Sequence, residues 1–192
     1  MIRKLIIILF IIFPLIISLY FLYGGLKLEL KSRLSQILLF NSWNKTLKTG
    51  VLTKPWFNFD GYPIMRIEIP NHKISQIILS GTSGQNLAFA PAWHTESYLP
   101  KENKVTIISS HRDSHGKYIK DLELGEIIKI QDLQKKWHYY SIVDLFIIDT
   151  QFEEISMNYS DKHLILITCY PFDALYSGTK LRYIVSASKY NI

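Results

Sequence analysis

Apolar and polar residues alternate along most of the chain after residue 62, and short turn-forming stretches separate the alternating runs. Successive side chains of a strand point to opposite faces, so such runs predict β-strands. About eight strands with short connections favour a mainly β fold, a closed or nearly closed β-barrel with small helices. The clearest runs are 64–69, 76–79, 104–109, 126–131, 137–148, 163–169 and 181–188, and helical turns are predicted at 87–93 and 117–122.

The run 163–169 ends at Cys169, the only cysteine of the chain. In a strand here, Ile167 and Cys169 share one face and Thr168 lies on the other. Pro171 has no N–H to donate to a sheet, so the strand should stop just before it. The sequence therefore places a single thiol where a strand meets a loop.

A different pattern opens the chain, where Leu5–Leu26 forms a run of 22 residues without a charge. At about 1.5 Å per residue this run spans about 33 Å, enough to cross a bilayer core. Arg3 and Lys4 precede it and favour an N-terminus on the cytoplasmic side. A cleaved signal peptide is the alternative, but Gly24-Gly25 is the only candidate cleavage site, so we favour an uncleaved anchor.

The stretch after the anchor lacks Pro and Gly until Gly50 and carries an apolar stripe that includes Leu38 and Ser42, which predicts a helix up to about Lys48. Its lysines would also suit a helix at a membrane surface. These patterns divide the chain into an N-terminal transmembrane anchor at 1–26, a juxtamembrane helix and linker at 27–54, and a globular domain at 55–192.

The charge pattern limits which classes of partner this domain could bind. Lys and Arg number 22 against 16 acidic residues, a formal charge of +6, but the basic residues are scattered. Without a basic block or a nucleic-acid motif, we expect no nucleic-acid partner. An anionic membrane surface suits a mildly basic, anchored protein better, and one cysteine excludes an internal disulfide.

A reactive thiol needs a nearby base or cation, because the thiolate is the nucleophile and a free thiol has a pKa of about 8.5. His111 follows the predicted strand 104–109 and opens a polar loop, so it lies at a strand end as Cys169 does. Two strand ends on one rim of a barrel can meet, which makes His111 the candidate base. A structural role is the alternative for any one histidine, and it is the one assigned to His72, His94, His138 and His163.

Arg182 lies on the last predicted strand and could stabilise an oxyanion. If the last two strands are antiparallel neighbours, this strand returns Arg182 close to Cys169. A zinc site made by His111, His115 and Cys169 is a second possibility. The H-x-x-x-H spacing suits a metal mainly on a helix, however, and Gly116 does not favour one there.

Three segments resemble the sortase family. Leu166-Ile-Thr-Cys169 resembles the Thr-Leu-x-Thr-Cys signature, with Ile165 where Thr usually stands. Ser110-His-Arg-Asp-Ser-His115 resembles the segment with the catalytic histidine, and Leu181-Arg-Tyr-Ile-Val185 resembles the strand with the catalytic arginine. Further similarity to the sortase class of Gram-negative bacteria lies in Pro55-Trp56, Leu79-Ser-Gly-Thr-Ser-Gly84, Leu87-Ala-Phe-Ala-Pro91 and Thr168-Cys-Tyr-Pro-Phe-Asp-Ala174.

This resemblance implies an eight-stranded sortase-type barrel over 55–192 and a membrane-anchored cysteine transpeptidase on the outer, periplasmic side of the cytoplasmic membrane. Cys169 would be the nucleophile, His111 the acid/base and Arg182 the substrate-positioning and oxyanion residue, with Thr168 and Asp113 in support.

The family cleaves a C-terminal signal similar to Leu-Pro-x-Thr-Gly through a thioacyl intermediate and transfers the secreted protein to an amine acceptor. No metal or organic cofactor takes part in that chemistry, although some relatives bind calcium. A non-catalytic binding barrel and a cysteine hydrolase that releases its substrate to water are the alternatives.

Overall fold

The structure is a computed structural model that describes residues 2–152, 163–174, 176 and 178–190, except for the side chains of 2–11 and 19–32. Helix α1 covers Ile2–Thr49, in agreement with the helix predicted up to about Lys48. Among the residues whose side chains are described, no helix is both long and apolar enough to cross a membrane. Most side chains of the predicted anchor lie outside the described residues, and the anchor stays a prediction.

Over the described residues, eight strands form one closed barrel in the order β1-β2-β3-β4-β7-β8-β6-β5, as the alternating pattern predicted. Strand β1 closes the barrel because it pairs antiparallel with both β2 and β5. The strands are β1 (Pro63–Ile69), β2 (Ile74–Ser80), β3 (Ala92–Trp93), β4 (Thr106–Ser109), β5 (Ile127–Gln131), β6 (Trp137–Asp149), β7 (His163–Cys169) and β8 (Leu181–Tyr190).

Short helices lie in the connections between strands. Helix α2 covers Gly84–Phe89, and 3-10 turns cover Pro70–His72, Pro100–Glu102 and Lys117–Asp121. The helical turn predicted at 87–93 is wrong in position. Ser83 caps α2 by accepting a hydrogen bond from the Asn86 N–H, so the helix begins earlier than its apolar residues suggest. Ala92–Trp93 is the strand β3, which is too short to show a period of two.

The alternation of strand side chains separates two apolar clusters. One fills the barrel interior with residues from nearly every strand, including Leu164 and Leu166 of β7. The other lies on the opposite face of the sheet and includes Ile165, Ile167 and Ile184. Cys169 belongs by alternation to this second face, outside the barrel.

A third cluster joins the end of α1 to the barrel. Leu39 and Trp43 are fully buried against Phe59, Ile77 and Leu79. The buried stripe of α1 passes through these two residues and Ser42, whereas Leu38, which the sequence placed on the stripe, is only half-buried. Because the large ring of Trp43 is buried here, it sets which face of the helix packs.

Candidate active site

Cys169 is the last residue of β7, and its side chain is half-buried. The strand is buried along its middle because it lies between two neighbours in the barrel, β4 on one side and β8 on the other. Pairing with β4 is parallel and pairing with β8 is antiparallel. The residues that flank Cys169 therefore come from the end of β4 and the start of β8.

Arg182 lies directly opposite Cys169 in the ladder of β7 and β8. The Tyr170 N–H donates to the Leu181 carbonyl at 3.0 Å, which makes this next pair the hydrogen-bonded one. Pairs alternate in an antiparallel ladder, so Cys169 and Arg182 form a non-hydrogen-bonded pair, the kind in which side chains lie closer. The thiol and the guanidinium group thus start from adjacent positions on one face.

The guanidinium group of Arg182 is held by the loop between β7 and β8. Its Nη1 donates to the Thr179 carbonyl at 2.5 Å and to the Leu181 carbonyl at 2.9 Å. Thr179 is buried and Arg182 is half-buried. The backbone of this loop therefore fixes the direction of the cationic side chain.

His111 approaches Cys169 from the other side. Ser109 pairs with Ile167 in the parallel ladder, and the Ser110 N–H donates to the Ile167 carbonyl at 3.0 Å, one residue beyond β4. His111 is the next residue after this contact, so the chain reaches it at the end of β7 that carries Cys169. The three predicted residues thus form a row in the order His111, Cys169, Arg182, in which Arg182 lies opposite Cys169 and the exposed His111 follows β4 on the other side of β7.

The loop that carries His111 is fastened from inside the barrel. Thr168 Oγ1 donates to the Ser110 carbonyl at 2.8 Å, a buried hydrogen bond across 58 positions of sequence. The Gly116 N–H donates to the His111 carbonyl at 2.8 Å. A Cβ atom at Gly116 would lie 2.3 Å from Ser110 Oγ, so only glycine fits this approach. Asp113, the second predicted supporting residue, is exposed on the same loop.

Two further histidines, neither of which was predicted to take part in catalysis, lie next to this row. His94 Nε2 lies 2.7 Å from Oγ of Ser109, which precedes His111 by two positions. Burial lowers the pKa of His94, and the charge of Glu96 opposes that shift. Burial also lowers the pKa of His115, where a hydrogen bond with the Ala88 backbone raises it and the charge of nearby His111 lowers it further.

Two other histidines pair with carboxylates in line with their predicted structural roles. His138 Nε2 lies 2.7 Å from Asp132 Oδ2 in a buried pair, and His72 Nε2 lies 2.9 Å from Glu126 Oε2. His163, the fourth histidine given a structural role, is the half-buried first residue of β7.

The zinc alternative finds no support in this geometry. Residues 112–116 form turns, so the His111-x-x-x-His115 spacing does not lie on a helix. Within the described ranges, no group of three or more His, Cys, Asp or Glu side chains is arranged to hold a metal ion.

Sequence reasoning also missed Arg112. Its Nη2 donates to the carbonyls of Ala174 at 2.7 Å and Tyr176 at 2.6 Å, and its Nη1 donates to Thr179 Oγ1 at 3.3 Å. The only signal in the sequence was its place beside His111, because all three acceptors lie more than 60 positions away.

Comparison with known proteins settles the family. Residues 67–190 match the family model of the sortase domain. The chain belongs to the sortase family. Sortase D of Bacillus subtilis (strain 168) is 32% identical over 120 residues, which are 62% of this chain and 60% of that relative. The matched region therefore spans less than two thirds of that sortase.

Solved sortases share the fold at lower identity. A sortase D5 transpeptidase of Clostridium perfringens has a TM-score of 0.60 at 24% identity, covering 79% of this chain and 88% of its own. Sortase A of Corynebacterium diphtheriae has a TM-score of 0.61 at 18% identity, covering 70% of this chain and 64% of its own. These sortases come from Gram-positive bacteria, so the narrower resemblance to the Gram-negative class is not supported.

Proposed function

We propose that this sortase is a membrane-anchored cysteine transpeptidase that acts on the C-terminal sorting signal of secreted proteins. The observation that carries the proposal is the row in which Cys169 ends β7 opposite Arg182, with His111 following β4 on the other side. Acyl transfer through a thioester needs a thiol nucleophile, a general base and donors that stabilise the oxyanion, and Cys169, His111 and Arg182 can supply these.

In the proposed reaction, His111 takes the thiol proton, and the sulfur of Cys169 attacks the carbonyl carbon of the Thr in a signal similar to Leu-Pro-x-Thr-Gly. Arg182 stabilises the oxyanion of the tetrahedral intermediate. When the C–N bond breaks, His111 gives its proton to the leaving amine, and a thioester stays on Cys169. An acceptor amine then attacks the thioester carbonyl and passes a proton to His111. A new amide bond forms, the C–S bond breaks, and His111 returns the proton to the sulfur of Cys169.

One related structure supports the substrate class. A sortase C of Clostridium perfringens, with a TM-score of 0.58 at 24% identity, was solved with its C-terminal cell wall sorting motif. It covers 82% of this chain and 89% of its own. We extend a motif of this kind to the present chain as a proposal about its substrate.

The test uses the full chain, a fluorescent sorting peptide and an added amine, with products identified by mass. We expect parent enzyme to give the heavier amine adduct, Cys169→Ala to give no product, and His111→Gln to lose about 10²–10⁴-fold in rate. His72→Gln is the matched control, because His72 lies in a separate pair with Glu126. Turnover by Cys169→Ala would refute the mechanism, and release of only the hydrolysed peptide would favour a hydrolase.

We further propose that residues 5–26 anchor the protein in the cytoplasmic membrane with the barrel on the outer side. The support is the uncharged run itself and the Arg3-Lys4 pair before it. Cys169 is the only thiol, and it is partly exposed to solvent. A maleimide that cannot cross the membrane therefore tests on which side the barrel lies. Labelling of intact spheroplasts is expected, and labelling only after lysis would place the barrel inside.

A further inference from the structure

The loop between β7 and β8 is tied to the His111 loop by one side chain. Arg112 donates to two backbone carbonyls of this loop, those of Ala174 and Tyr176, and to the hydroxyl of Thr179. These contacts use the planar fork of a guanidinium group, which reaches several acceptors at once. A lysine has a single ammonium group on a flexible stem and cannot reproduce that geometry.

Thr179 connects Arg112 to the proposed oxyanion residue. Its hydroxyl accepts from Arg112 Nη1, while its carbonyl accepts from Arg182 Nη1 at 2.5 Å. Thr179 is only 7% exposed, and both bonds are part-buried. Arg112 is therefore linked through Thr179 to Arg182, which lies opposite Cys169.

The same contacts complete a closed series of linked residues that includes Cys169. Thr168, next to Cys169, holds the Ser110 carbonyl, and the chain then runs through His111 to Arg112. From Arg112 the series continues through Thr179 to Arg182, which lies opposite Cys169. We expect a change in any link to alter the mutual positions of His111, Cys169 and Arg182.

We propose that Arg112 is a positioning residue that acts through Thr179 to hold the guanidinium group of Arg182 in line with Cys169 and His111. Its effect on turnover rests on the proposed transpeptidase function. Its effect on the surroundings of the thiol does not, because Arg182 lies opposite Cys169 in the ladder whatever the substrate is.

The first test compares Arg112→Lys with parent in the peptide assay on the full chain. The variant keeps the positive charge but loses the planar guanidinium group that reaches several acceptors. We therefore expect kcat to fall about tenfold and KM to stay within about twofold of the parent value. Arg66→Lys is the matched control. The guanidinium group of Arg66 also contacts two partners, Glu68 and Ser75, but Arg66 lies on β1. A kcat for Arg112→Lys equal to that of Arg66→Lys would overturn the proposal.

The second test asks whether the effect passes through Thr179. Thr179→Val removes the hydroxyl that Arg112 reaches and keeps the carbonyl that Arg182 reaches. We expect the double variant with Arg112→Lys to be no slower than Arg112→Lys alone, and Thr179→Ser to keep parent activity. Multiplicative losses in the double variant would show that the two residues act independently.

The third test does not depend on any substrate. The rate of Cys169 alkylation by iodoacetamide at fixed neutral pH reports the surroundings of the thiol, so it should change by about threefold or more in Arg112→Lys and stay unchanged in Arg66→Lys. If parent enzyme processes no sorting peptide, the proposed function fails, and this rate alone decides the positioning role. An alkylation rate equal to that of parent would then refute the role of Arg112.

Discussion

The buried hydrogen bond from Thr168 to the Ser110 carbonyl gives the sharpest prediction about the site. Thr168→Val keeps the shape of the side chain and removes only the hydroxyl donor. Thr168 is 2% exposed and Ser110 is 7% exposed, so water has little access to the carbonyl that loses its donor. A buried polar group deprived of its partner costs about 1–3 kcal/mol, and we expect about 1.5 kcal/mol here.

For a chain of this size, 1 kcal/mol corresponds to about 2–4 °C, so the midpoint of thermal unfolding should fall by about 3–6 °C. The carbonyl also belongs to the residue before His111, so looser anchoring should lower kcat in the peptide assay by about tenfold. A loss of 1.4 kcal/mol in transition-state binding would produce that factor.

Scanning calorimetry and peptide turnover on the full chain measure the two effects together. Thr150→Val is the control, because its hydroxyl also donates to a loop carbonyl, that of Lys180 at 2.8 Å, but in an exposed position. We expect that control to cost less than about 0.5 kcal/mol, and Thr168→Ser to restore most of the loss. If Thr168→Val matched parent in stability and turnover, the hydrogen bond would not position the His111 loop.

Three other predictions follow from described contacts. Gly116→Ala should lose about 1–3 kcal/mol in calorimetry from overpacking, whereas Gly84→Ala, with open space around its Cβ, should match parent. Asp132→Ala should lose about 3 kcal/mol, because His138 and two turn N–H groups lose their acceptor, while the kcat of the folded fraction stays the same. Burial lowers the pKa of His94, so its contribution to stability is complete above about pH 6.5 and is lost as the pH falls, since the unfolded chain then binds the proton first. Urea titrations from pH 7.5 to 5 should show this loss in parent and a flatter profile in His94→Gln, and equal slopes would contradict it.

The strands were predictable because they depend on local order, and so was the position of His111 and Cys169 at strand ends. Period-two runs fix which side chains share a face, and strand ends at His111 and Cys169 restrict where those residues can meet. The antiparallel pairing of the last two strands, assumed from their short connection, is the pairing in the structure.

The contacts of Arg112 were not predictable, because its partners are two carbonyls and a hydroxyl in a loop without a period. The contact of His94 with Ser109 was not predictable for a similar reason. His94 follows a strand of two residues, Ala92–Trp93, and such a strand shows no alternation that could assign it to the face of Ser109.

The parallel pairing of β4 with β7 also has a consequence for biosynthesis. His111 is made before β5 and β6, whereas Cys169 and Arg182 are made after both. A ribosome-bound chain that ends within β6 therefore carries His111 without Cys169 or Arg182. Contacts between distant segments also form slowly, since the loop between them must close first. The proposed acyl transfer would thus have to wait until β7 and β8 have both been made and have paired.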